Sequence, residues 1–176
     1  MTLRKWVSRE EEKSTMNARV IVFVTVAFAL IGFPAYVFLD EKLSGGVKDR
    51  GDFLEVNLKA MSNFEFDQNT GTQEDVPERW RGMTGKKVML TGEMWQPQSA
   101  AGEIAEFELV YSIAKCCFSG PPKIQHFVLA KVKPGSKVDF YSGLVEVMGT
   151  LKVNVERSEG KVTRVFVLDV ESVKPI

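Results

Sequence analysis

This chain is short of the groups that most chemistry needs. Its 176 residues hold one histidine and two cysteines, and 23 basic side chains are matched by 23 acidic ones. A single imidazole limits any histidine-based general base or metal cage, and a formal charge of zero supplies no net field to steer the chain toward nucleic acid. Serine-nucleophile elbows, phosphate-binding loops, dinucleotide fingerprints, HExxH and paired CxxC motifs are all missing. Acids such as Glu93, Glu106 and Glu108 fall where the solvated face of a strand would put them, so no catalytic constellation emerges and no enzyme is expected.

Charge is also missing locally, and there its absence is informative. Residues 20–39, VIVFVTVAFALIGFPAYVFL, carry no charged side chain between Arg19 and Asp40. Twenty residues of helix at about 1.5 Å each cross a hydrocarbon core roughly 30 Å thick. The segment is expected to be a transmembrane helix, with Gly32 and Pro34 as kink points and Trp6 and Tyr36 at headgroup depth. A cleaved signal peptide is the alternative. It is disfavoured by the 19-residue leader, by an apolar run longer than the usual 7 to 15 residues, and because no A-x-A site follows that run.

Five basic residues precede the segment (Arg4, Lys5, Arg9, Lys13, Arg19) and three follow it closely (Lys42, Lys48, Arg50). The positive-inside rule then sets the leader, residues 1–19, in the cytoplasm. The expected localisation is the inner (cytoplasmic) membrane, single-pass, with the C-terminal part extracytoplasmic and the bilayer itself a partner.

Residues 40–81 read as a linker containing a first short strand. Ser44–Gly46 and the polar run Gln68–Asp75 punctuate the linker, while Phe64 and Phe66 alternate with polar neighbours over residues 63–67. From Gly85 onward period-2 patterns dominate: Val88 and Leu90, then Phe107, Leu109 and Tyr111, then the apolar run from Phe127 to Val132. Val145, Val147, Gly149, Leu151, Val153 and Val155 share one face of a further strand. Arg157–Gly160 form a turn, and Val162–Val170 return as the second arm of a hairpin. Five or so strands in about 100 residues, without a long amphipathic helix among them, predict a mainly β domain over residues 82–176 together with 63–67. A small OB-like antiparallel barrel is the expected form, and an open sandwich the competing one.

The one unusual local feature is Cys116–His126, CCFSGPPKIQH, which holds both cysteines and the only histidine. Thiolates and an imidazole are ligands for Zn²⁺ or Cu(I), so Cys116, Cys117 and His126 are the candidate metal residues. Two plainer readings stand beside that one: buried structural cysteines, and a vicinal disulfide, which an exported compartment permits. If both cysteines continue a strand, they point to opposite faces.

The order of DVPERWRGMTGKKVMLTGEMWQP at Asp75–Pro97, EFELV at Glu106–Val110, CCFSGPP at Cys116–Pro122 and the VEVMGTLKV strand resembles the bacterial family known as domain of unknown function 3299. The positions matched are Gly85, Gly92, Pro97, Cys116, Cys117, Phe118, Gly120 and Gly149, over about residues 64–170. The resemblance implies an exported or membrane-associated protein with an OB-like barrel.

The expected function is a tethered binding or accessory module of an envelope complex, with a membrane-protein complex or transporter as partner. The alternative is a metal or haem chaperone working through the Cys-Cys loop. The layout of a haem chaperone is present, but its C-terminal H-x-x-x-Y is replaced by ESVKPI. Single-strand nucleic-acid binding would need a basic aromatic groove, which nothing in the sequence indicates.

Overall fold

The computed structural model describes residues 20–34, 36, 45–95, 103–118 and 123–176. They fall into two units, one ending at Gly45 and a compact one over Gly46–Ile176. In the first, residues 20–34 form helix α1. Its apolar side chains are exposed on every side, Phe23, Phe28 and Ile31 at 75%, 76% and 71%. Among the described residues no helix is long and apolar enough to cross a membrane. Of the expected span 20–39, residues 35 and 37–39 lie outside the described residues, as does the expected leader 1–19.

The compact unit is mainly β. Its strands are β1 (Val47–Asp49), β2 (Leu54–Val56), β3 (Lys87–Trp95), β4 (Glu103–Ile104), β5 (Glu106–Val110), β6 (Val128–Val132), β7 (Val138–Asp139), β8 (Leu144–Ser158) and β9 (Lys161–Pro175). Hydrogen-bonded pairings run β3–β5–β6–β9–β8 and return from β8 to β3. All are antiparallel except β6–β9, which is parallel. The enclosed face gathers Val88, Leu90, Phe107, Leu109, Val128, Ala130, Val147, Leu151, Phe166 and Leu168, each at most 2% exposed.

The expected hairpin forms with longer arms and a tighter turn. β8 and β9 are 15 residues each and close on Glu159 and Gly160 alone, at φ 52° and 80°. Two successive positive φ values match the right-handed twist of the arms better than the expected four-residue turn does. Gly149 stands at a register shift in β8, where a Cβ would run into the carbonyl of Asp169. Gly92 is where β3 changes neighbour on one edge, from β2 at Val88–Leu90 to β5 at Glu93–Trp95. A Cβ there would meet the Val110 carbonyl at 2.5 Å, so glycine lets the two backbones close up.

The reading of residues 40–81 as a linker is corrected from Gly46 onward. β1, β2 and the short helices α2 (Leu58–Met61) and α3 (Glu78–Arg81) belong to the compact unit. Val56, Leu58, Met61, Val76, Trp80 and Met83 are buried in its core. Elements of three or four residues each contribute one or two anchors, too few to show a period in sequence.

The polar run in this segment is bolted down rather than loose. The Gln73 amide donates to the Val153 carbonyl at 3.0 Å and accepts from the Val155 N–H at 2.9 Å, standing in for a neighbouring strand. Arg157 donates to the carbonyls of Asn69 and Gly71. The Asp67 carboxylate accepts the N–H groups of Asn69 and Thr70 at 2.7 and 2.9 Å, bonds that hold its pKa below the usual value. Phe64 and Phe66 do not form the expected strand; they pack edge to face 6.1 Å apart, and Phe64 does the same against Phe166.

Candidate functional site

In β5, Phe107 and Leu109 point into the core, so the alternation of a strand turns Glu108 to the other face. The register continues that outer row across three neighbours: Trp95 of β3 opposite Glu108, Glu108 opposite Leu129 of β6, and Leu129 opposite Val167 of β9. An outer row on a small sheet is normally wet. Here Leu129 and Val167 are 4% and 6% exposed, and Glu108 is only partly exposed.

This second apolar face borders a cavity of about 250 Å³. Trp95, Leu129, Ile124, Phe127 and Phe166 supply its apolar walls, and Glu108, Gln68, Thr163 and Arg164 its polar groups. The rings of Trp95 and Phe127 are tilted against each other at 5.6 Å. Gln68 is fixed at the rim by its carbonyl, which accepts from the Val162 N–H at 2.8 Å.

Glu108 and Arg164 carry the electrostatics of the cavity. Burial raises the Glu108 carboxyl above its ordinary pKa, against the pull of the Arg164 guanidinium and with help from Glu106. Among the described residues Glu108 makes no hydrogen bond or ion pair, and the Arg164 Nε is buried without an acceptor. Among the described residues the ion pair of Arg164 is a long contact, 4.0 Å to Glu156. A partly buried carboxyl and a buried guanidinium nitrogen without an acceptor border one largely apolar cavity, and the unpaired nitrogen is costly for a merely structural surface.

The expected metal residues lie close by along the chain. Cys116 and Cys117 are on helix α4 (Ile113–Phe118). Their backbone is helical, so the alternation that would send them to opposite faces of a strand does not apply. Helix α4 starts where the Glu93 carboxylate, two positions before Trp95 on β3, accepts the Ile113 N–H at 2.6 Å. Residues 119–122 of the expected loop lie outside the described residues.

His126 ends a short 3-10 turn, Ile124–His126, between the cavity residues Ile124 and Phe127. Its ring stands edge-on to Tyr111 at 6.0 Å, two residues before α4 begins. Burial, and then Lys123, lowers its pKa, which favours the neutral imidazole, and Nδ1 is buried without a partner. Among the described residues no group of three or more His, Cys, Asp or Glu side chains is gathered for a metal ion.

Sequence reading passed over the cavity because Glu108 looks like any solvated strand carboxylate. A signal did exist: the run Phe127–Ala130 is apolar at consecutive positions, which marks a strand covered on both faces rather than one. No family model and no curated protein matches the chain. Among solved structures it is similar to a DUF3299 family protein from Pseudomonas aeruginosa PAO1, at 23% identity over 68% of this chain and 78% of that one, with a TM-score of 0.44. A member of the family that the Asp75–Pro97 and Cys116–Pro122 segments resemble is thus among its structural neighbours.

Proposed function

We propose that this protein is a membrane-tethered binding module of the cell envelope, an OB-like domain held at the inner membrane by a single helix and presented outside the cytoplasm. The observation that carries the reading is helix α1, apolar and exposed on every side. A helix that is hydrophobic all round demands an apolar surrounding, and the uncharged run of residues 20–39 is long enough to meet a bilayer from one side to the other. Five basic residues ahead of it support a cytoplasmic N-terminus. The OB-like reading is supported by the circuit β3–β5–β6–β9–β8–β3, whose five strands include one parallel pair. The role is binding rather than a reaction, with a membrane-protein complex or transporter as the partner class.

The test is fractionation of the full chain carrying a C-terminal tag. The expected outcome is a protein that stays in the membrane pellet through alkaline carbonate and loses its tag to protease added to spheroplasts. A tag that is soluble after carbonate, or protected in intact spheroplasts, sinks the reading.

A second reading, zinc or copper handling through Cys116, Cys117 and His126, draws support from the His126 imidazole, whose Nδ1 is buried without a partner and whose pKa burial lowers. It requires stoichiometric metal on the purified chain that disappears in Cys117→Ser. Metal content unchanged by that substitution ends it.

A further inference from the structure

The cavity beside β5 has a chemistry specific enough to name its occupant. Its volume of about 250 Å³ falls below the roughly 300 to 1,000 Å³ of pockets for drug-sized ligands, so the occupant is a small metabolite. Trp95, Phe127 and Leu129 offer an apolar wall, and aromatic rings favour another ring there by about 0.5 to 1.5 kcal/mol beyond the area buried. Two charges border the same space without closing on each other: Glu108, with nothing donating to it, and Arg164, whose buried Nε donates to nothing among the described residues. Arg164 Nε lacks the acceptor that a ligand carboxylate would supply, and Glu108 is placed to accept from a ligand ammonium.

The geometry points to a small aromatic zwitterion as the occupant, its ring against Trp95, Phe127 and Leu129, its ammonium on Glu108 and its carboxylate on Arg164. One carboxylate satisfies the unpaired Arg164 Nε and one ammonium pairs with the Glu108 carboxylate, and the two together add no net charge to a partly desolvated site. The upward pull of burial on the Glu108 carboxyl agrees, because the neighbouring guanidinium alone does not offset the desolvation. The inference rests on the binding-module reading and names what is bound, yet it fails separately from the anchor, because ligand affinity and membrane fractionation are independent readouts.

The experiment is calorimetric titration of the full chain in detergent micelles with L-phenylalanine, with 3-phenylpropionate, which lacks the ammonium, and with 2-phenylethylamine, which lacks the carboxylate. L-phenylalanine is expected to bind at one site, and each truncated probe about tenfold or more weaker. Glu108→Gln is expected to erase the advantage over 3-phenylpropionate and Arg164→Met the advantage over 2-phenylethylamine, while the circular dichroism stays that of the parent. Thr163→Trp, which fills the cavity from its exposed rim, is expected to abolish binding of all three. Absence of L-phenylalanine binding, equal affinity for the three probes, or full binding by Thr163→Trp overturns the inference, whichever compartment the chain fractionates to.

Discussion

The two faces of strands β5, β6 and β9 use similar residues for different ends. On the enclosed face Leu109, Val128 and Leu168 are fully buried within the apolar cluster. On the outer face Leu129 and Val167 are nearly as buried, yet their row also holds Glu108 and borders a cavity. Burial alone therefore does not define a core. The difference lies in what completes the packing, which is side chains on one face and open space bordered by Glu108 and Arg164 on the other.

The sharpest way to break this comparison is to truncate one leucine on each face. Leu109→Ala is expected to lower the unfolding free energy by about 2 to 5 kcal/mol in urea denaturation, because it opens a new cavity in close-packed surroundings. Leu129→Ala is expected to cost about 2 kcal/mol, the low end, because it enlarges a space that already exists. Equal losses would make the outer face a second core rather than a site.

A smaller effect is expected at the join between the outer face and the cysteine helix. Glu93→Ala removes the carboxylate that accepts the Ile113 N–H, a capping bond worth about 1 kcal/mol. Its informative readout is thiol reactivity, since loosening the start of α4 should speed modification of Cys116 and Cys117. Unchanged rates would detach the cysteine helix from the β3 edge.

The smallest effect is a slope rather than a drop. The carboxyl of Glu108 has a raised pKa in the folded chain, so the native state holds its proton to higher pH than the unfolded state does. Stability from this group is therefore lost as pH rises from the unfolded value through the raised folded one, and levels off above it. Glu108→Gln should flatten that part of the stability curve. A parent curve that gains stability across the same window on account of Glu108 would contradict the burial that sets the sign.

Legibility in the sequence followed the length of the pattern. The 15-residue strands β8 and β9 repeat their alternation often enough to be read directly, and so do β3 and β5. Residues 46–81 were not legible as core, because Leu58, Met61, Val76 and Trp80 sit on or beside elements of three or four residues, too short to show a period. The polar run Gln68–Asp75 looked like a linker because the amide of Gln73 and the carbonyls that hold Arg157 find their partners more than 75 residues away. The site was hidden for a similar reason. Glu108, Arg164 and Trp95 are ordinary strand residues until the register aligns Trp95 with Glu108 and the fold brings the start of β9 to the same cavity.

The sequence by itself determined the mainly β character of the C-terminal part, the hairpin near its end, and the uncharged apolar run of residues 20–39. These depend on local periodicity and composition, which neighbouring residues report without help from the rest of the chain. The tertiary structure alone decided that residues 46–81 belong to the core, that the cysteines lie on a helix, and that Glu108 and Arg164 share a cavity with aromatic walls. Those facts rest on contacts between residues far apart in the chain, and pairing register and burial exist only once the strands have found one another.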